Sequence, residues 1–281
     1  MNIDITLANS SEDRIIRDIY NGLYGSPYPS ISTSEMIREI NSGDFLLNLY
    51  LTDYRGDSIP EDILRIERLR GLFMRGNRLV TTFHEIPEYT NSGIVYLDIS
   101  RNLIEDSEVL LDLPDIFTNL EHLNVSHNDM YILKLPDVNT VEARNCSLVE
   151  ISPNVWYDRL EYLDLADNMF VIEHPDSQDF ASTDRYYLPE VFHPELSEDI
   201  FRNIPSLREL YLSGNQGIQM INLDSFSQGL VRLDLSDTDL MDITFNSDTT
   251  TLQELILRNT SVDNSLIDEI RAKYPDLDII L

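Results

Sequence analysis

One phrase, Leu-x-x-Leu-x-Leu-x-x-Asn, returns along most of this chain and limits what it can fold into more than any other feature. Leu160, Leu163, Leu165 and Asn168 make one full copy, and Leu207, Leu210, Leu212 and Asn215 make another. Leu69/Leu72/Met74/Asn77, Ile94/Leu97/Ile99/Asn102 and Leu120/Leu123/Val125/Asn128 keep the frame with apolar exchanges. Weaker copies fill the gaps: Leu46/Leu49/Leu51/Tyr54, Val138/Val141/Ala143/Cys146, Leu230/Leu233/Leu235/Thr238, Leu252/Leu255/Leu257/Thr260 and a last partial one at Tyr274/Leu277/Ile279. First leucines recur about every 22–26 residues, apart from one short step before Val138 and one near-double step from Leu160 to Leu207. Repetition at this period means stacked units, each a short strand and a return segment, none able to bury its apolar side alone.

On these copies the chain resembles the leucine-rich-repeat family, of the intracellular type without cysteine-rich caps, from about residue 45 to the C-terminus. The resemblance implies an α/β solenoid: a curved parallel sheet on the concave side, short helical or 3₁₀ segments on the convex side, and a core of the three Leu-type positions. Asn at the ninth position has an amide that both donates and accepts, so a column of them can satisfy buried turn backbone. Thr238, Thr260 and Cys146 are small substitutes there.

The return segments echo one another as well. Ile59-Pro-Glu-Asp-Ile-Leu, Leu113-Pro-Asp-Ile-Phe, Ile151-Ser-Pro-Asn-Val-Trp and Leu196-Ser-Glu-Asp-Ile-Phe place proline or a polar residue just before two apolar ones, the pattern of a single helical or 3₁₀ turn. Phe117 and Trp156 then read as wedges between strand and convex layer.

Residues 1–44 lie outside the frame and read as a helical N-terminal cap. Ile15, Ile16, Ile19, Tyr20 and Leu23 share one helical face, and Ser32-x-x-Glu35 before Met36, Ile37 and Ile40 is a capping box. Residues 45–281 form the solenoid. Within it, 169–206 reads as an irregular insertion, with a degenerate repeat around Leu188 as the alternative, and 263–273 as a C-terminal capping helix stopped by Pro275.

Fifty acidic against twenty basic side chains give a net charge of −30. That balance disfavours nucleic acid and anionic membrane and favours a partner with a basic surface. The single cysteine, Cys146, forbids an internal disulfide. With neither a signal-peptide pattern nor a long apolar run, the expectation is an intracellular location, cytoplasmic, nuclear or within a larger particle, and no membrane span.

No glycine-rich phosphate loop, nucleophile arrangement or metal-ligand set stands out, so neither an enzyme nor a cofactor is expected. His122 and His127 have no third partner in the pattern. Side chains alternate across a strand, so residues between core leucines face solvent. They form two columns: Tyr50, Phe73, Asp98, Asn124, Glu142, Asp164, Tyr211, Asp234, Ile256, Asp278; and Asn48, Gly71, Tyr96, His122, Thr140, Tyr162, Glu209, Arg232, Glu254, Asp276. Acids interleaved with aromatics suit protein recognition. The expected function is a non-catalytic interaction module binding a basic protein on this concave face, with Tyr96, Asp98, Tyr162, Asp164, Tyr211 and Asp234 at its centre. The alternatives are a structural component of a multiprotein assembly such as a shell or capsid, packed by its flanks, and an adaptor in a ubiquitin-ligase or signalling complex.

Overall fold

The computed structural model describes residues 1–25, 31–152, 158–172, 201, 204–226, 228–245, 247 and 250–281. The chain forms two compact units, Met1–Met130 with Lys134–Ala143, and Tyr131–Leu133 with Arg144–Leu281.

Among the described residues, the main sheet of the first unit has six parallel strands in chain order: Asn2–Ala8, Leu46–Thr52, Leu69–Phe73, Tyr96–Asp98, His122–Asn124 and Thr140–Glu142. The main sheet of the second has five among its described residues: Tyr162–Asp164, Glu209–Tyr211, Arg232–Asp234, Glu254–Ile256 and Asp278–Ile280. Homologous repeat positions pair along most of the sheet, Leu72 with Leu97 and Leu97 with Leu123, for example, with a register shift between Leu47 and Asn48. The leucine frame therefore sets the register, because a slip by one residue would turn every leucine out to water. Leu49, Leu72, Met74, Leu97, Ile99, Val125, Leu163, Leu165, Leu210 and Leu233 are fully buried. Tyr162–Asp164 pairs directly with Glu209–Tyr211, so no strand stands between them across the long step. The proposed insertion itself lies largely outside the described residues, as does Trp156.

Asn at the ninth position does what its chemistry allows. Asn102 Oδ1 accepts from the Leu79 N–H at 3.0 Å, while its Nδ2 donates to the carbonyls of Met74 and Ile99 at 3.0 and 2.9 Å. Asn77 and Asn128 repeat the pattern in the first unit, Asn168 and Asn215 in the second, and all five are buried. Thr238 and Thr260 keep half of it, each donating to the carbonyl three residues back. Cys146 is buried in the same column, its thiol 3.5 Å from the Arg144 carbonyl.

Return segments are short. Glu61–Arg65, Ser107–Leu110 and Leu223–Ser225 are 3₁₀ turns and Leu113–Ile116 is one α turn, with Phe117 fully buried behind it. Among the described residues of the second unit, parts of three return segments instead pair as extended chain, Val171–Ile172 with Gly217–Ile218 and Met220–Asn222 with Asp242–Thr244.

At the N-terminal end both expected helices are present, Ile15–Tyr24 and Thr33–Ser42, the second with the Ser32–Glu35 capping box formed in both directions. A purely helical reading of 1–44 misses the strand Asn2–Ala8, which pairs residue for residue with Leu46–Thr52. Its Ile3-x-Ile5-x-Leu7 alternation is too short to fill the nine-residue phrase, and Ser10 stands where the phrase has Asn. Register corrects the last repeat also. Ile279, not Leu277, pairs with Leu255, so Asp278 stands beside Glu254 and Ile280 beside Ile256. The partial copy at Tyr274 is thus two residues out of frame, on the same face because strand periodicity is two.

Candidate functional site

The outward face of the first unit's sheet is organised by rings. Tyr50 and Phe73 stack at 4.4 Å between centroids and 8° between planes; Phe73 meets Tyr96 at 5.3 Å and 27°; Tyr96 meets His122 at 5.5 Å and 25°. Four consecutive strands thus share one aromatic file, half-buried along its length. The file crosses from one residue column to the other, because Phe73 pairs across the ladder with Asp98 while its ring leans to Tyr96, over Gly71. Carboxylates flank it. Asp98 lies two residues beyond Tyr96, and Glu142 accepts from Asn124 Nδ2 at 2.9 Å. Burial, with help from Glu142 and Asp98, raises the Tyr96 phenol above its ordinary pKa, so the ring keeps its O–H as a donor at neutral pH.

In the second unit Tyr162 and Tyr211 lie 5.2 Å apart at 40°, and the Arg232 guanidinium sits 5.5 Å from the Tyr211 ring centre while pairing with Glu254 at 3.2 Å. Tyr211 Oη donates to Glu209 at 2.7 Å; burial first, then this bond, pushes its pKa up.

Of the six residues expected at the centre, Tyr96 and Asp98 belong to the first unit and the other four to the second. Five are half-buried on the sheet face. Asp164 is not open to a ligand: it is 5% exposed, with Arg144 donating to it at 2.9 Å and the Ala166 N–H at 3.0 Å. Alternation puts a side chain on a face without saying what covers it, and here an arginine from the preceding repeat folds over the carboxylate. Burial opposes the charge on Arg144, but Asp164 outweighs this and its pKa is raised.

The acids have a second role that the face pattern hides. Asp98, Asn124, Asp164 and Asp234 each accept the backbone N–H two residues on, at 2.9, 2.9, 3.0 and 2.9 Å. This position therefore selects Asp or Asn for turn geometry as well as for the surface. Tyr50, Phe73 and His122 belong with Tyr96, and the available signal was Gly71, a residue with no side chain set beside an aromatic column. Among the described residues, no group of three or more His, Cys, Asp or Glu stands close enough to hold a metal ion. None of their helices is long and apolar enough to cross a membrane.

In-register leucine strands, short returns and a buried asparagine column decide the architecture. The fold is a leucine-rich-repeat solenoid. No family model and no curated protein matches the sequence. Among solved structures the chain is similar to the leucine-rich-repeat domain of APL1, at 17% identity and TM-score 0.49 over 85% of this chain and 65% of that one. It is also similar to the LRIM1/APL1C complex, at 15% and 0.44 over 86% and 61%, and to a leucine-rich-repeat protein of Leptospira interrogans, at 16% and 0.37 over 99% and 89%. The chain spans less than two thirds of the length of the first two, and its fold rests on the repeat geometry described above.

Proposed function

We propose that this chain is a non-catalytic protein-binding module whose sheet face takes a basic partner. The observation carrying this reading is the Tyr50–Phe73–Tyr96–His122 file, half-buried on the side of the sheet away from the core. Core packing does not require aromatics there; a polar residue would serve as well in a merely solvated sheet. Rings supply contact area at little entropic cost, and the carboxylates of Asp98 and Glu142 beside them steer cationic side chains.

A chain with net charge −30 attracts any polycation, so the test must leave charge alone. An arginine-rich peptide carrying two tyrosines is titrated against the wild type and the Phe73→Ala/Tyr96→Ala double variant. The double variant should bind about tenfold or more weakly, the loss of two aromatic contacts. Equal affinities would reduce the binding to bulk charge and remove the sheet face as its site.

A further inference from the structure

The charge of this chain is not evenly laid. Five of its twenty basic residues, Arg65, Arg68, Arg70, Arg75 and Arg78, fall in fourteen positions, with Glu67 the single acid among them. Those before the strand Leu69–Phe73 include residues already engaged: Arg65 pairs with Asp62 at 3.0 Å, and Arg68 Nε donates to the Asn41 carbonyl at 2.8 Å. Those after it are different. Arg75 and Arg78 leave the strand at its C-terminal turn, Arg55 occupies the preceding turn and Arg101 the following one, and all four are exposed. Among the described residues, Arg55, Arg75 and Arg78 make no ion pair, although acids outnumber bases by more than two to one. Arg101 meets the His127 ring at 3.3 Å.

This turn edge also has relief and apolar surface. A cavity of about 460 Å³ opens between Arg55 and Arg78, walled by Asp53, Tyr54, Gly76 and Asn77. On this turn and the next, Val80 and Leu103 are 46% and 55% exposed, the two turns joined by the Leu103 N–H to Leu79 carbonyl bond at 2.8 Å. The Gly76 N–H already donates to the Ser100 carbonyl, so what the edge offers an anion is guanidinium forks rather than backbone donors. Such forks match planar carboxylates in a bidentate way.

We propose that the C-terminal turn edge of the first unit, with Arg55 and Arg78 at the cavity and Arg75, Arg101, Val80 and Leu103 exposed on the same and the following turn, binds an acidic peptide segment of a partner protein. The segment carries carboxylates interspersed with aliphatic side chains. This surface lies on the turns and is separate from the ring file on the sheet. Nucleic acid fits it poorly. Three neighbouring turns span only about 10 Å at ~4.8 Å per strand, too little for a tract of phosphates, and the rest of the chain repels a polyanion. Aliphatic side chains next to the cations have no use on a phosphate backbone and a direct one against Leu or Val of a peptide.

The test is fluorescence anisotropy of the full chain with a fluorescein-labelled decapeptide of Glu and Leu. Arg55→Glu/Arg78→Glu should weaken binding about tenfold or more, Val80→Ser/Leu103→Ser severalfold, and Asp53→Asn, which removes the carboxylate at the cavity wall, should tighten it. Arg17→Glu/Arg38→Glu changes net charge equally on the N-terminal helices and should leave affinity unchanged. Absence of binding, or equal loss in both arginine doubles, overturns the site. An all-Glu peptide or a single-stranded oligonucleotide binding as tightly, with no effect of the serine double, overturns the partner class. If the arginine double fails to fold by its melting curve, the serine double and Asp53→Asn decide alone.

Discussion

The ring of Phe73 lies over the bare Cα of Gly71: a Cβ placed there would come within 2.7 Å of Phe73 Cε2 and 2.9 Å of Asn48 Oδ1. Gly71 is thus what lets the aromatic file step from Phe73 to Tyr96. Gly71→Ala sets two effects against each other. Alanine in a strand gains roughly 0.5–1 kcal/mol over glycine from chain entropy, and displacing the ring loses about 0.5–1.5 kcal/mol of pairing. Stability should barely change, while the near-ultraviolet circular dichroism of the stacked rings falls and binding of a cationic peptide weakens. A fully retained near-ultraviolet signal would show that the ring does not depend on the glycine.

The asparagine column should be the costliest polar element to remove. Asn102→Ala strands the Leu79 N–H in the core, where an unpaired group costs about 1–3 kcal/mol before relaxation, while the Met74 and Ile99 carbonyls each lose one donor and keep Asn77 and Asn128. A loss of about 1–3 kcal/mol is expected, a sizeable share of what a domain has. Urea unfolding measures it, and a loss below ~1 kcal/mol would mean that water replaces the amide.

Much of this was legible because the repeat is redundant. Leu72, Leu97 and Leu123 announce the same strand in three copies, and the Asn residues mark each turn, so register follows from counting. The Ser32–Glu35 box and the helix Asn264–Lys273 carry local signals of their own. The strand Asn2–Ala8 escaped because a frame built on leucine and asparagine does not see Ile3, Ile5 and Ser10. At the site, the columns were readable but the contacts were not. Phe73 leaning over Gly71 and Arg144 folding over Asp164 depend on side-chain directions between repeats, and no periodicity encodes those.

Asp263 caps the helix Asn264–Lys273 by accepting the Ser265 N–H at 2.9 Å, and that bond lowers its pKa. A carboxyl whose native pKa is depressed stabilises above its unfolded-state pKa, and the contribution is lost as pH falls through the native value. Wild type should therefore lose melting temperature faster on acidification than Asp263→Asn, which still accepts the bond without titrating. Parallel melting-temperature curves for the two proteins from neutral to acidic pH would remove Asp263 as a source of acid sensitivity.

The acids of the sheet face separate by environment, and that makes the functional reading testable without harming the fold. Asp98 and Asp234 are half-exposed, and each accepts the N–H of the serine two residues on. Asn124 makes the same bond to Ser126, so Asp98→Asn and Asp234→Asn keep the turn and remove only charge. Asp164 is buried under Arg144, whose side chain is 45% exposed. Asp164→Asn keeps the turn bond to Ala166 but leaves the guanidinium without its carboxylate, a loss of about 1 kcal/mol after allowing for solvent around the arginine. In titrations with a cationic peptide at low and high salt, Asp98→Asn/Asp234→Asn should weaken binding and flatten its salt dependence at unchanged melting temperature. Asp164→Asn should do the reverse, lowering melting temperature with little effect on affinity. Equal affinity and equal salt slope for the Asp98/Asp234 double and the wild type would rule these carboxylates out of recognition, leaving them as turn-forming residues alone.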